Sequence, residues 1–261
     1  MSGAATVTAD LSDRLIGGAV VSVRGVGKDF PTPRGSVRAL AGVDLEVAPG
    51  EFVAVVGPSG CGKSTLLNIV AGLDEPSSGG VQRADRVGLM FQDATLLPWL
   101  TARGNVDLAL RLRGVPSSQR RAETERLLSV VRLDGTGDRR PHELSGGMRQ
   151  RVALARCLAQ GTSIVAMDEP LGALDAMTRD HLHDEIERVA AEQALTVLFV
   201  THNMREAVRL ADRVVLMAHG RIVHEQFVGL PRPRVMDSAE VATRARDLTE
   251  RLHAAGAGRA S

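Results

Sequence analysis

Gly57-Pro58-Ser59-Gly60-Cys61-Gly62-Lys63-Ser64 fits the pattern GxxxxGK[ST] and follows directly on Phe52-Val53-Ala54-Val55-Val56. An apolar run without alternation is what a strand buried on both faces of a parallel sheet requires. The glycines let the backbone curl so that several N–H groups point inward at phosphate. Ser64 to Ala71 reads as a helix stopped near Gly72. Its positive N-terminal end would face the same anion. Lys63 adds a full charge near β/γ oxygens, and Ser64 offers a hydroxyl to Mg²⁺. The candidate cradle for a nucleoside triphosphate, a Walker A loop, is Gly57, Pro58, Ser59, Gly60, Cys61, Gly62, Lys63, Ser64 and Thr65. A Gly-rich turn that happens to fit would lack the strand before and the helix after.

Two further apolar runs, Ser163-Ile164-Val165-Ala166-Met167-Asp168 and Leu195-Thr196-Val197-Leu198-Phe199-Val200-Thr201, each lead into polar residues and then a helix. Strands alternating with helices predict an α/β fold, with a mainly parallel sheet and right-handed crossovers. Val20-Val21-Ser22-Val23 and Leu45-Glu46-Val47 are β-like. Residues from about 94 to 160 are rich in Arg and Leu without a convincing strand, and read as an inserted helical subdomain. Residues 1–18 read as a flexible leader and 19–230 as one nucleotide-binding domain without internal repeat. Pro231-Arg232-Pro233-Arg234 breaks the chain, and residues 231–261 form a short helical tail with Val241, Ala245, Leu248 and Leu252 at helical spacing.

Composition narrows the function. Of 261 residues, 44% are hydrophobic and only 2% aromatic, so a sizeable core must be built from Val, Leu, Ile and Ala. A formal net charge of +1 leaves no electrostatic footprint for nucleic acid. Cys61 and Cys157 stand far apart, so neither a disulfide framework nor a zinc site is expected. Asp10 and Asp13, without a basic start and apolar stretch, argue against a secretory signal. No run of about eighteen apolar residues occurs. If the protein serves transport, other chains must supply the channel.

Several polar residues follow the apolar runs, at the strand ends where ligands of open α/β sheets bind. Asp168 would hold Mg²⁺ through water, and Glu169 could take a proton from an attacking water; a bland reading has Glu169 capping the next turn. His202 could reach a γ-phosphate, although a lone His is more often structural. Gln92, after Val87-Gly88-Leu89-Met90-Phe91, could bind Mg²⁺ or the water without changing the charge; its own signal is weak.

Leu144-Ser145-Gly146-Gly147-Met148-Arg149-Gln150 adds a second anion-competent helix end. Ser145 is a good N-cap, and the helix should run to about Gln160 with Gly161 as its stop. Met148, Val152, Ala155 and Leu158 should form its buried stripe. Gly146 and Gly147 leave bare backbone before it. Two phosphate-binding helix ends in one domain suggest that each copy completes the other's site, but a plain helix cap explains the same residues.

The order of Phe30, the phosphate loop, Gln92, LSGGM, Met167-Asp168-Glu169-Pro170, Gly172-Ala173-Leu174-Asp175 and His202 resembles that of the ABC transporter ATP-binding subunit, over roughly residues 20 to 228. The resemblance implies a P-loop ABC-type nucleotide-binding domain with an added antiparallel β subdomain. It implies that Phe30 stacks on adenine and that Asp175 helps contact the other subunit. Two subunits would sandwich two ATP molecules, each loop facing the other chain's Ser145-Gly146-Gly147. Phe30 stands where Tyr is frequent, Met148 where Gln is frequent, and Asn203 where Asp is common; hydrolysis is expected to survive all three. The strings LLPWLT (96–101), LSGGMRQR and THNMREAVRLADRVVLM are similar to importer ATPases for nitrate, aliphatic sulfonates and taurine. The implied setting is the cytoplasmic face of a membrane, with a second copy, permease subunits and an extracytoplasmic substrate-binding protein as partners.

The competing classes are a lipoprotein-releasing or exporting ABC ATPase, which shares LLP, and a soluble ABC protein acting on DNA or ribosomes. The latter usually needs coiled-coil arms, zinc motifs, fused units or a basic surface, none of which is visible. A GTPase would need a base-reading NKxD string. Trp99 and its neighbouring leucines fit either a helix end packed inward or a groove for a membrane partner's helix. His181-Leu182-His183-Asp184-Glu185 could suggest a metal site, but a solvated helix face is the better reading. Lys63 and the helix terminus are expected to favour the Cys61 thiolate.

Overall fold

The computed structural model describes residues 18–33, 35–172 and 174–257; nearly all of the leader expected at 1–18 lies outside them. Nine strands and seven α-helices follow in order among the described residues. Strands β1 (Val21–Thr32), β2 (Gly35–Val47) and β4 (Ser78–Arg83) form an antiparallel sheet ordered β2-β1-β4. This is the antiparallel subdomain the family resemblance implied.

The other sheet runs β5-β6-β7-β3-β8-β9, with β3 (Phe52–Val56), β5 (Val87–Met90), β6 (Ile164–Asp168), β7 (Thr196–Thr201), β8 (Arg213–Ala218) and β9 (Arg221–Phe227). Its first five strands are parallel, and β9 closes the edge antiparallel to β8. Every residue of β3 and β7 is buried, which accounts for the absence of polar alternation in both runs.

The pleat sends alternate β3 residues to two cores. Val53 and Val55 join Leu40, Val43, Leu66 and Ile69 under the antiparallel sheet and α1 (Lys63–Ala71). Phe52, Ala54 and Val56 join Phe199 and the remaining helices. These are α2 (Ala102–Leu112), α3 (Ser117–Val130), α4 (Gly146–Ala159), α5 (Ala176–Glu192), α6 (Met204–Leu210) and α7 (Ala239–Ala257). No strand interrupts 94–160. The tail does not stand apart. Val241, Ala245 and Leu248 of α7 lie in that second core, and the buried Arg234 donates to the carbonyls of Val208 and Ala211 at the end of α6.

The α4 helix starts at its Ser145 cap, which accepts from Met148 N, and Gly161 follows its end at φ +68°. Its buried face is broader than the stripe expected. Val152 to Ala155, Cys157, Ala159 and Gln150 are buried, while Met148 and Leu158 are only half-buried. The helix is enclosed by the sheet on one side and other helices on the other, so one 3.6-residue stripe understates its contacts.

Candidate nucleotide site

Parallel register brings the site together. Val56 pairs with Thr201 across β3 and β7, and Val200 pairs with Asp168 across β7 and β6. Three strands therefore end level. The phosphate loop, Asp168-Glu169 and His202 leave the same sheet edge.

The loop is shaped by close approaches. A Cβ on Gly57 would lie 2.2 Å from the Met217 carbonyl oxygen, and one on Gly62, at φ +105°, 2.5 Å from that of Ala39. Only glycine fits both places. The antiparallel sheet thus presses directly on the loop. No side chain caps the first turn of α1, so its N–H groups face outward for an anion. The buried Lys63 Nζ donates to Gly57 O at 2.8 Å and Pro58 O at 3.0 Å.

Ser64 Oγ donates to Asp168 Oδ1 at 3.1 Å. Hydroxyl and carboxylate oxygens are the donor set Mg²⁺ takes alongside phosphate oxygens, so these residues fit that ion. Burial raises the Asp168 carboxyl above its ordinary range, the Ser64 hydroxyl pulls it down, and neighbouring Glu169 raises it further. Glu169 stands at φ +43° and donates its N–H to Val200 O at 2.9 Å. Its Oε2 lies 3.0 Å from His202 Nδ1. Gln92 lies just beyond β5, with its amide against Gly172, three residues past Glu169. Its carbonyl accepts from the buried Gln150 on α4 at 2.5 Å. Phe30 sits half-exposed on β1 opposite Val37, with Lys28 Nζ 5.0 Å above its ring.

Ser145, Gly146 and Gly147 make no hydrogen bond to this cluster among the described residues; Ser145 Oγ serves its own helix. The glycines have a packing reason as well as the expected one. A Cβ on Gly147 would meet Thr178 Cγ2 at 2.4 Å, and one on Gly146 would meet Leu174 at 3.1 Å. Asp175 caps α5 by accepting from Thr178 N at 3.0 Å, and that N–H holds its exposed carboxyl below the usual range.

Two expectations are corrected. Burial dominates at Cys61 and pushes its thiol up despite Lys63, so the thiolate is not favoured. His183 and Glu185 are buried rather than solvated, while His181 and Asp184 remain exposed. The covering comes from α6, whose Arg209 and Glu206 face His183; helical spacing alone cannot show such a neighbour. No group of three metal-competent side chains occurs among the described residues. Sequence reasoning also passed over Thr201, Arg179 and Glu206, which line a cavity of about 40 Å³ with Glu169 and His202.

A phosphate loop between strand and helix, beside an oxygen pair for a divalent ion and a carboxylate paired with histidine, defines a P-loop nucleoside triphosphatase. The family described as ABC transporter matches residues 40–172. The aliphatic sulfonates import ATP-binding protein SsuB of Rhodopseudomonas palustris is 43% identical over 241 residues, 90% of this chain and 84% of its own length. The bicarbonate transport ATP-binding protein CmpC of Synechocystis is 44% identical over 228 residues, 82% of this chain but 34% of that protein. A dimeric ATP-binding cassette in a post-hydrolysis state, bound to ADP and Pi, superposes with a TM-score of 0.73 at 32% identity, over 81% of this chain and 100% of that one. The chain belongs to the ABC transporter family, as an ATP-binding and ATP-hydrolysing subunit.

Proposed function

We propose that this chain powers uptake of a small anion, such as nitrate, an aliphatic sulfonate or taurine, through partner permease subunits. The convergence of Ser64, Asp168, Glu169 and His202 at one sheet edge supports the ATP-hydrolysing half of that reading. Glu169 is the general base that orients and deprotonates the attacking water. His202 and Lys63 hold the γ-phosphate. Ser64, Gln92 and Asp168 place Mg²⁺, which neutralises charge on the phosphate oxygens when bound. The loop residues Gly57 to Thr65 bind the phosphates, and Phe30 stacks on adenine.

A second copy supplies Ser145, Gly146 and Gly147 to the nucleotide, with Asp175 near the contact; the dimeric form of the similar cassette supports this. A groove of about 880 Å³ between core and helical region supports a permease partner. Leu97, Leu108 and Leu112 line it, with Arg83, Arg113 and Arg156. Leu112 is 80% exposed, and nearby Trp99, expected either inside or at a groove, is 68% exposed. Apolar surface of that kind marks an interface. No helix of the described residues is long and apolar enough to cross a membrane, in keeping with a peripheral subunit at the cytoplasmic face. An extracytoplasmic binding protein completes such an importer. The relatives' names, sulfonate and bicarbonate, support a small anionic cargo.

The test is uptake of labelled nitrate, alkanesulfonate and taurine in cells carrying wild-type or Lys63→Ala protein. Loss of one uptake in the variant is expected. Equal uptake of all three in both strains would contradict the cargo assignment.

A further inference from the structure

A charged cluster lies behind His202 that the proposed chemistry does not use. Glu206, on α6, is 5% exposed. Its Oε2 accepts from Thr201 Oγ1 at 2.7 Å. The same hydroxyl oxygen accepts from Asn203 N at 3.0 Å. One Thr–Glu pair therefore ties down the residues on both sides of His202. Asn203 Oδ1 in turn accepts from Arg205 N at 3.0 Å and Glu206 N at 3.4 Å, closing the loop onto its own helix.

The other carboxylate oxygen faces α5. Glu206 Oε1 is 3.8 Å from both Arg179 Nε and His183 Nε2. His183 is fully buried, and Arg209 Nη1 lies 3.2 Å from its Nδ1. Arginine only donates, so Nδ1 is the acceptor and a neutral His183 carries its proton on Nε2, toward Glu206. Arg209 is itself held by Asp180 and Asp184 of α5. The cluster thus joins α5, whose cap is Asp175, to the turn that carries His202.

We propose that Glu206 is a positioning residue for His202, acting through Thr201 and Asn203, and that its ion pair with Arg179 links its carboxylate to α5. The proposal rests on the catalytic reading of Glu169 and His202 above. A buried carboxylate is costly to retain unless hydrogen-bonded and paired. Here its partners are divided between the turn that carries His202 and helix α5. The 40 Å³ space beside Glu206, Glu169 and His202 is lined mainly by polar side chains, so on that side the turn is held by hydrogen bonds.

The experiment compares full-length wild type, Glu206→Ala, Glu206→Gln, Thr201→Val, Thr201→Ser and His202→Ala for Mg-ATP turnover, with the His202 imidazole followed by NMR. Thr201→Val keeps the shape and removes the hydroxyl, so it decides the matter should Glu206→Ala fail to fold. Expected are a fall in kcat of at least about tenfold in Glu206→Ala and Thr201→Val, the scale of a misplaced catalytic group, with KM within about threefold. Glu206→Gln and Thr201→Ser, which keep an acceptor and a hydroxyl, should recover most of the loss. The His202 signals should move in Glu206→Ala and Thr201→Val. Wild-type kcat and unmoved His202 signals in folded Thr201→Val, beside an impaired His202→Ala, would overturn the positioning role and leave the catalytic reading intact. Full activity in His202→Ala would overturn that reading and the proposal with it.

Discussion

His202 Nδ1 lies 3.0 Å from Glu169 Oε2, across the level ends of two neighbouring parallel strands. The contact joins residues 33 apart in sequence. It exists because Asp168 pairs with Val200 and because Glu169 turns back at φ +43° to donate to Val200 O. The two side chains proposed to handle water and phosphate thus hold each other.

That turn stores strain, because a non-glycine residue in the left-handed region costs of order 1 kcal/mol or more. Glu169→Gly should therefore be more stable than Glu169→Ala by about 1 kcal/mol, with hydrolysis lost in both. Urea midpoints would read the difference. An Ala variant as stable as the Gly variant would show that the turn is unstrained.

His183 gives a pH dependence with a defined sign. Burial, then Arg209, push its imidazole down to about 4 from an ordinary 6.5. Arg179, Asp180 and Asp184 of its own helix, and Arg209 and Glu206 of α6, are the charges that surround it. Between those values the native state holds fewer protons than the unfolded chain, so stability rises with pH there and is lost as pH falls. Above about 6.5 the effect vanishes, and it grows as pH falls toward 4. Glu206, raised by burial, acts oppositely above its ordinary 4.5. His183→Gln, which still accepts from Arg209, should lose less stability between pH 7 and 5 than wild type in urea titrations. Identical losses would mean His183 protonates freely in the fold.

The cysteines should be slow. Burial pushes Cys61 up and Cys157 up to about 12, so little thiolate exists at neutral pH. Maleimide should label the native protein far more slowly than the urea-unfolded chain, by mass spectrometry. Equal rates would mean that the phosphate loop opens readily.

The shared-site arrangement predicts a dimer that depends on nucleotide. Glu169→Gln, slowed in hydrolysis, should shift from monomer to dimer mass when Mg-ATP is added, measured by light scattering. Ser145→Arg in the same background should remain monomeric while still binding ATP. A dimer that persists in Ser145→Arg would contradict the placement of Ser145-Gly146-Gly147 at the partner's nucleotide.

What the sequence made legible was local. The run Phe52–Val56, the loop and α1 state their structure within twenty residues, because anion binding demands that order of elements. The strand ends at Asp168 and Thr201 were readable for the same reason. The β4 strand, Ser-Gly-Gly-Val-Gln-Arg, carries no alternation and takes its place only by pairing with β1. The β1–β2 hairpin was seen only at its buried ends, since register shifts near Val26 and Lys28 break its period. Cys61 and His183 were misread for a common reason. Neighbours in sequence set their charge surroundings, but distant elements set their burial. For Cys61 the loop lies under the antiparallel sheet; for His183 the cover is α6.

Glu169 is proposed as the base in a site that binds ATP without it. The most direct measurement is single-turnover hydrolysis by Glu169→Gln, with ATP affinity determined on the same sample. Expected is a rate lower by about 10²–10⁴, the usual worth of a general base, with affinity within about threefold of wild type. A wild-type rate at full ATP occupancy would contradict it and place the base elsewhere.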